Sequence, residues 1–249
     1  MKAMILAAGL GTRLRPLTGD RPKALVTVAG HTLLEIALAG LRGFGVREVI
    51  VNVHHFAEIV VEYLRANENF GMRIEVSREE TLLDTGGGLK KAAWFFLEEV
   101  ASAQEPFILH NVDVISTIDL AGMVQFHAQR KALATLAVQE RETSRVLLFD
   151  QQERLCGRRV GRNGDTEWAV PAEHPQALAF SGIHVLSPSI FAEFKEDGAF
   201  SIIDAYLRLA AEGEKIVSFL ADDAYWRDLG RPESIVEAGR DLADGRFSI

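Results

Sequence analysis

The 249-residue chain has a single cysteine, Cys156, which excludes an internal disulfide and any cysteine-rich zinc site. Nothing in that usage points to an oxidising compartment, and a reducing cytoplasm is the expected setting. Long apolar runs are missing too. The longest, such as Ala132 to Val138, fall far short of the roughly 20 residues that a membrane-spanning helix needs, so no membrane insertion is expected. Near the start, Gly9, Gly11 and Arg13 interrupt the apolar run before the core of an export signal could form. Positive charge is in deficit: 27 Lys+Arg stand against 35 Asp+Glu, a net charge of −8. That argues against a general nucleic-acid binder, because neutralising phosphates needs a dense basic face. The chain also lacks internal repeats, low-complexity tracts and a linker long enough to divide it.

What is present reads as one domain over residues 1–249, long enough to bury roughly three quarters of its unfolded surface without a covalent or metal staple. Ala3 to Ala8 is a continuous apolar run ended by glycine, the pattern of a strand buried on both faces of a parallel sheet. Val49 to Val53, Met72 to Val76, Phe107 to His110, Ala134 to Val138 and Leu178 to Leu186 are further strand candidates. Helical spacing fills the gaps: Leu34, Ala37, Leu38 and Leu41 behind a Thr32/Glu35 capping box; Phe56, Ile59, Val60, Tyr63 and Leu64; Leu89, Ala92, Ala93, Phe96 and Leu97. A last helix is expected from Pro232 to Ala243, with Ile235, Ala238 and Leu242 facing inward. Alternating strands and helices predict a doubly wound α/β sheet. Residues 151–176 break the pattern and predict a loop-rich excursion, with a hairpin as one form it could take, carrying Arg158, Arg159 and Arg162.

The densest chemistry is in Gly9-Leu10-Gly11-Thr12-Arg13-Leu14-Arg15-Pro16-Leu17-Thr18 and the following Arg21-Pro22-Lys23. Lys23 is not in a P-loop frame, and Leu14 occupies the third glycine position of a dinucleotide fingerprint, so both familiar phosphate motifs fail. That failure weakens an NAD-dependent dehydrogenase as the function. What remains is a glycine-bearing loop leaving a buried strand, where amides can approach an anion because no Cβ intervenes and Arg13, Arg15 and Lys23 add charge. A plain strand-to-loop turn with solvated basic residues is the competing reading.

The full string Gly-x-Gly-Thr-Arg-Leu-x-Pro-Leu-Thr, followed by Pro-Lys, resembles the signature of the sugar-1-phosphate nucleotidyltransferases, or nucleotide-sugar pyrophosphorylases. The resemblance implies an α/β, doubly wound, Rossmann-like mixed sheet of the nucleotide-diphospho-sugar transferase type. It implies a nucleotide-binding part over 1–150, and a sugar-binding part with the second metal ligand over 151–249. Ala8, Gly9, Gly11, Thr12, Arg13 and Lys23 would wrap an NTP, with Arg13 on the β,γ-phosphates and Lys23 by the α-phosphate. Asp84-Thr85-Gly86-Gly87-Gly88 resembles the glycine segment beside base and ribose, which nominates Gly86 and Gly87. Glu79 or Glu80 would line the base pocket, or be solvated loop charges.

Asn111-Val112-Asp113 stands where the family has Asn-Gly-Asp, and Trp226-Arg227-Asp228-Leu229-Gly230 resembles its second acidic segment. Asp113 and Asp228 are thereby the implied Mg²⁺ ligands. Val112 in place of glycine should restrict the turn and hinder close approach of a ligand to its backbone. Two carboxylates plus waters and phosphate oxygens suit Mg²⁺, and the ion keeps both acids charged. Phe180-Ser181-Gly182-Ile183 resembles the sugar-side segment and nominates Ser181 and Gly182, while Arg158, Arg159 or Arg162 would meet the acceptor phosphate or simply be solvated.

Other groups have plainer expectations. His54 and His55 are adjacent, with no third ligand in view, so zinc is not expected. His110 is expected to be a satisfied buried side chain, Cys156 an unreactive loop residue, and Trp94, Phe95 and Phe96 core. The implied reaction joins an NTP and a sugar 1-phosphate into an NDP-sugar and pyrophosphate, and needs no dedicated base because a phosphate monoester is largely dianionic at neutral pH. UTP with an N-acetylated hexose 1-phosphate such as N-acetylmuramate 1-phosphate leads, ahead of GTP with mannose 1-phosphate. A regulatory subunit that binds nucleotide sugars without catalysis is the alternative from another class.

Overall fold

The structure is a computed structural model that describes residues 1–98, 105–161 and 164–249; Arg162 lies outside the described residues. In the first half, β1 (Lys2–Leu6) runs into a loop with two 3-10 turns and then the ribbon β2 (Thr27–Val28) and β3 (His31–Thr32). There follow α1 (Leu33–Phe44), β4 (Glu48–Val53), α2 (Ala57–Ala66), β5 (Arg73–Arg78), α3 (Asp84–Lys91), α4 (Ala93–Leu97), β6 (Phe107–Asn111), β7 (Val114–Ser116), α5 (Leu120–Arg130) and β8 (Ala134–Gln139). The second half contributes β9 (Arg145–Phe149), β10 (Leu155–Val160), β11 (Thr166–Trp168), β12 (Gln176–Leu186), α6 (Ile190–Glu193), α7 (Ile202–Ala211), β13 (Ile216–Leu220), β14 (Trp226–Asp228) and α8 (Pro232–Ala243).

The main sheet runs β11-β10-β9-β12-β6-β1-β4-β5, with β8 beside β12 and β13 beside β8. β1 lies parallel to β4 and β6, and β4 to β5, whereas β12 is antiparallel to β6, β8 and β9. This is the expected mixed, Rossmann-like sheet. Its two faces explain the unbroken apolar run of β1: Ala3 and Ile5 enter a core shared with α1 and α2, while Met4 enters a second core shared with α3, α4 and α7. α1 starts where Thr32 Oγ1 accepts from the Glu35 N–H at 3.0 Å and stops at Gly45, whose φ of +103° suits glycine.

Several sequence expectations are corrected. The helix expected through Leu89 to Leu97 is two helices meeting at Ala92, and the change of direction leaves Trp94 and Leu97 exposed, while Phe95 and Phe96 are core as expected. Phe56 precedes α2 in a left-handed conformation rather than belonging to its buried stripe, and Ile59 is exposed. The 151–176 excursion contains the β10–β11 hairpin. Cys156 is therefore a buried strand residue, not part of a polar loop, and burial pushes its thiol up to about 11, which keeps it unreactive. β7 and β14, three residues each, pair into a separate small sheet that no periodicity announced.

Three buried histidines make stability depend on pH: His110, which lies at the site described below, and the pair His127 and His184. His127 is bonded through its ring nitrogens to Thr135 Oγ1 (2.9 Å) and Ser187 Oγ (3.0 Å), and His184 Nδ1 to the Tyr206 hydroxyl (2.8 Å). Burial pushes His127 down to about 4; burial, with His110 nearby as the lesser cause, pushes His184 down to about 3. The unfolded chain titrates all three near 6.5, so it binds more protons than the folded chain below that pH. Stability is then full above about 6.5 and falls as pH drops towards 4, by up to about tenfold in the folding equilibrium per pH unit and per histidine. Urea midpoints measured from pH 7 to pH 5 should decline, and the decline should shrink in His127→Gln; a flat profile contradicts the assignment.

Candidate functional site

The loop after β1 is held shut by its own small residues. Gly11 has φ +62°, and a Cβ there would stand 3.0 Å from both Lys23 Cβ and Thr18 Cγ2. Thr18 Oγ1 donates to the Gly11 carbonyl at 2.9 Å, and Leu14 is buried as an anchor. A groove of about 690 Å³ opens beside this loop, lined in part by Leu10, Thr12, Arg15 and His55. The loop thus folds over Lys23, which begins the second 3-10 turn and forms an ion pair with the Asp113 carboxylate.

Asp113 occupies the turn between β6 and β7. Val112 donates its N–H to the Leu6 carbonyl at 3.1 Å, buries its side chain in the core and has no positive φ, so this turn does not require glycine. The antiparallel β7–β14 ladder sets Asp228 opposite Val114, and the Leu229 N–H donates to the Asp113 carbonyl at 2.8 Å. Two aspartates 115 positions apart are thereby neighbours on adjoining backbones. Asp228 Oδ1 accepts from the Gly230 N–H at 2.6 Å. A Cβ on Gly230 would lie 2.7 Å from that oxygen and 2.8 Å from Arg13 Nη2, so the Arg13 guanidinium and the Asp228 carboxylate meet around Gly230. Arg13, Lys23, Asp113 and Asp228 form one cluster.

The cluster suits a hard divalent cation. One oxygen of each aspartate is engaged, Asp113 Oδ2 by Lys23 and Asp228 Oδ1 by Gly230, which leaves Asp113 Oδ1 and Asp228 Oδ2 for coordination. Among the described residues no group of three or more His, Cys, Asp or Glu side chains could hold a metal. Two carboxylates could hold Mg²⁺ if water and substrate oxygens completed the shell, whereas Zn²⁺ would call for a third or fourth protein ligand.

Along the chain from the phosphate loop, Asn52 at the end of β4 ties three segments together. Its Oδ1 accepts from the Ala7 N–H at 2.7 Å, and its Nδ2 donates to Glu79 Oε1 at 2.7 Å, while Glu79 Oε2 accepts from the Leu83 N–H at 2.9 Å. Glu79 is buried in this bridge and Glu80 is exposed, so of the two only Glu80 is a solvated charge. The glycines of α3 are explained by protein packing. A Cβ on Gly88 would meet Asn52 Nδ2 and Glu79 Oε1, each at 2.7 Å; one on Gly86 would lie 2.2 Å from the Phe200 ring; one on Gly87 would lie 2.3 Å from the Gly198 carbonyl oxygen. The Gly86 and Gly87 amides both donate to the Phe200 carbonyl, at 2.9 and 3.3 Å. Because a carbonyl oxygen in the backbone cannot swing aside, Gly87→Ala should destabilise the fold by about 1–3 kcal/mol. Thermal melts read this, and an unchanged melting temperature contradicts it.

The profile of the family described as nucleotidyl transferase matches residues 2–155 and 165–245. The chain belongs to the nucleotidyl transferase family. It is an enzyme of the sugar-1-phosphate nucleotidyltransferase class that its motifs resemble. An N-acetylmuramate α-1-phosphate uridylyltransferase of Caulobacter vibrioides is 37% identical over 250 residues, covering 97% of this chain and 97% of the relative. A mannose-1-phosphate guanylyltransferase of Mycobacterium tuberculosis is 28% identical over 247 residues, covering 98% of this chain and 65% of the relative, so the chain spans about two thirds of that longer protein. The crystal structure of HddC from Yersinia pseudotuberculosis complexed with GMP-PN has the same fold, with a TM-score of 0.77 at 24% identity over 97% of this chain and 99% of that one.

The segment that resembles the family's sugar side, Phe180 to Ile183, lies on β12. Gly182 has φ +76°, and a Cβ there would lie 2.8 Å from Asn111 Nδ2 and 2.9 Å from Val114 Cγ2, so only glycine lets β12 cross the β6–β7 turn this closely. Ser181 is fully buried, its Oγ has no hydrogen-bond partner, and its carbonyl accepts from Trp226 Nε1 at 2.7 Å. Arg158 is not a lone solvated charge: it pairs with Glu167 of β11 and Asp204 of α7. Arg159 sits next to it on β10. His54 Nδ1 is engaged with the Glu79 carbonyl (2.8 Å) and His110 Nδ1 with that of Asn111 (2.8 Å), and burial pushes His110 down to about 4, which makes it neutral.

Sequence reading missed Asn52 and Arg141. Asn52 is the polar residue that interrupts the apolar run Val49 to Val53 of β4, and that interruption was the available signal. Arg141 follows the fully buried β8 at its carboxyl end, the side of an open α/β sheet where ligands gather.

Proposed function

We propose that the enzyme joins UTP and an N-acetylated hexose 1-phosphate, of the N-acetylmuramate 1-phosphate kind, into a UDP-sugar and pyrophosphate. The observation that supports this reading is the convergence of Arg13 and Lys23 with Asp113 and Asp228 beside a glycine loop. The substrate choice rests on the full-length match to the uridylyltransferase relative. In the reaction an oxygen of the acceptor's phosphate attacks the α-phosphorus, a new P–O bond forms as the α–β phosphoanhydride breaks, and pyrophosphate leaves. No proton need be removed from the nucleophile, because the phosphate monoester is already largely dianionic.

The work of the chain is therefore positioning and charge. Ala8, Gly9, Gly11 and Thr12 offer backbone to the triphosphate, Arg13 holds the departing β,γ-phosphates, and Lys23 neutralises the α-phosphate region. Gly86 and Gly87 on the nucleoside side, and Ser181 and Gly182 on the sugar side, are all buried and would shape those subsites through backbone packing. Asp113 and Asp228 would hold Mg²⁺, which would supply charge neutralisation at the reacting phosphates. A reducing cytoplasm, the setting expected from the single cysteine, fits this reading. The decisive experiment measures Mg²⁺-dependent pyrophosphate release with each of four NTPs against a set of sugar 1-phosphates. UTP with N-acetylmuramate 1-phosphate should give the highest kcat/KM; preference for GTP with mannose 1-phosphate overturns the substrate, and silence with every pair overturns the reaction.

A further inference from the structure

Three buried side-chain polar atoms are without a hydrogen-bond partner among the described residues: Arg130 Nε, Arg141 Nε and Ser181 Oγ. Arg130 has Glu153 for its charge. The other two fall in one small assembly. Arg141 Nη2 donates to the Phe180 carbonyl at 2.6 Å, next to Ser181; the Arg141 guanidinium carbon lies 3.6 Å from the centre of the Trp226 ring; and Trp226 Nε1 donates to the Ser181 carbonyl at 2.7 Å. Asp228 follows Trp226 by two residues in β14.

Such an arrangement has donors to spare. The guanidinium packs on the indole and Nη2 spends one N–H on a carbonyl; Nε is shielded from solvent and without a partner, and Nη1 keeps its N–H groups for an oxyanion. Burial is the larger influence on this arginine, pulling it below its usual range, and the attraction of Asp228 is the smaller, opposing one. The reaction also calls for a cation here. Two anions must be brought together, and Arg13 and Lys23 belong to the loop side of the cluster.

We propose that Arg141, packed over the Trp226 ring, binds the phosphate of the acceptor and presents its oxygen to the nucleotide. The assignment deepens the transfer reaction above and rests on it for the identity of the acceptor, while the anion site itself can be read without turnover. Phe180, Ser181 and Trp226 are the frame of the site. A merely structural Arg141 would tie β12 to β14 and bind nothing.

The chain has only three tryptophans, Trp94, Trp168 and Trp226, so ¹⁵N-labelled protein shows three indole N–H signals, and Trp226→Phe assigns the relevant one. Titration of the nucleotide-free protein with inorganic phosphate, and separately with α-D-glucose 1-phosphate, should move the Trp226 signal saturably. In Arg141→Gln the affinity should fall at least about tenfold, and in Arg141→Lys, which keeps the charge and loses the fork, about three- to tenfold. In turnover, the acceptor's KM should rise by about tenfold in Arg141→Gln while the NTP's KM changes by no more than about twofold. Circular dichroism checks each variant, and Arg141→Lys decides alone if Arg141→Gln does not fold. No saturable shift in the wild type, wild-type affinity in the folded variants, or equal rises in both KM values overturns the proposal. A wild type that binds phosphate through Arg141 and turns over no substrate pair overturns the reaction and leaves the anion site standing.

Discussion

Asp228→Ala is expected to lower turnover by a factor of about 10²–10³ or more while the protein stays folded, because the loss removes charge where charge is being rearranged rather than packing from the core. The carboxylate sits at the end of β14, and its one hydrogen bond among the described residues is from the Gly230 amide, worth about 1.5–3 kcal/mol because the acceptor is charged. That is below the 5–15 kcal/mol typical of a folded domain. Asp228→Asn sharpens the comparison, since the amide oxygen can still accept from Gly230 while the charge is gone. If the carboxylate holds the cation, Asn and Ala lose turnover alike, differ only in melting temperature, and need more Mg²⁺ for whatever rate remains. Asp113→Ala should match them in turnover but cost more stability, because it strips Lys23 of its ion-pair partner. Near-normal Mg²⁺-dependent rates in Asp228→Asn, or in Asp113→Ala, reject the metal assignment.

How much of this was legible in the sequence depended on the range of the forces involved. β1 and the strands beside it announced themselves because a strand buried on both faces is built mostly of apolar residues, and α1 because its cap is a local hydrogen bond between Thr32 and Glu35. Trp94 and Leu97 were misplaced because the chain turns at Ala92, and an apolar stripe read through a change of helix axis continues onto solvent. The four charged residues of the cluster were named from motifs, but their meeting was not readable: it depends on the three-residue β7–β14 ladder, too short for any period to show. Val112 looked like a defect when measured against the family's glycine, and is an ordinary core residue at a turn with no positive φ. Arg141 went unnoticed because no motif surrounds it. Its distinction is the absence of enough partners, a property of packing alone.

Lys23→Met poses the harder test, since Lys23 has two parts to play and both must be separated. Its side chain is 12% exposed and that of Asp113 16%, so the pair is largely removed from water, and losing one partner strands the other. Breaking a fully buried pair costs about 3–5 kcal/mol, and this one, not fully enclosed, should cost less. The double variant Lys23→Met/Asp113→Asn removes both charges and should recover most of that stability. It should recover no activity, because the cation beside the α-phosphate and the metal ligand are then both gone. In the single variant the expected signature is a kcat lowered by about 10²-fold with a smaller change in the KM for NTP, since charge builds at the reacting phosphorus in the transition state more than in the bound substrate. A raised KM with unchanged kcat would instead mean that Lys23 only helps to load the nucleotide, and the role given to it at the α-phosphate would be wrong.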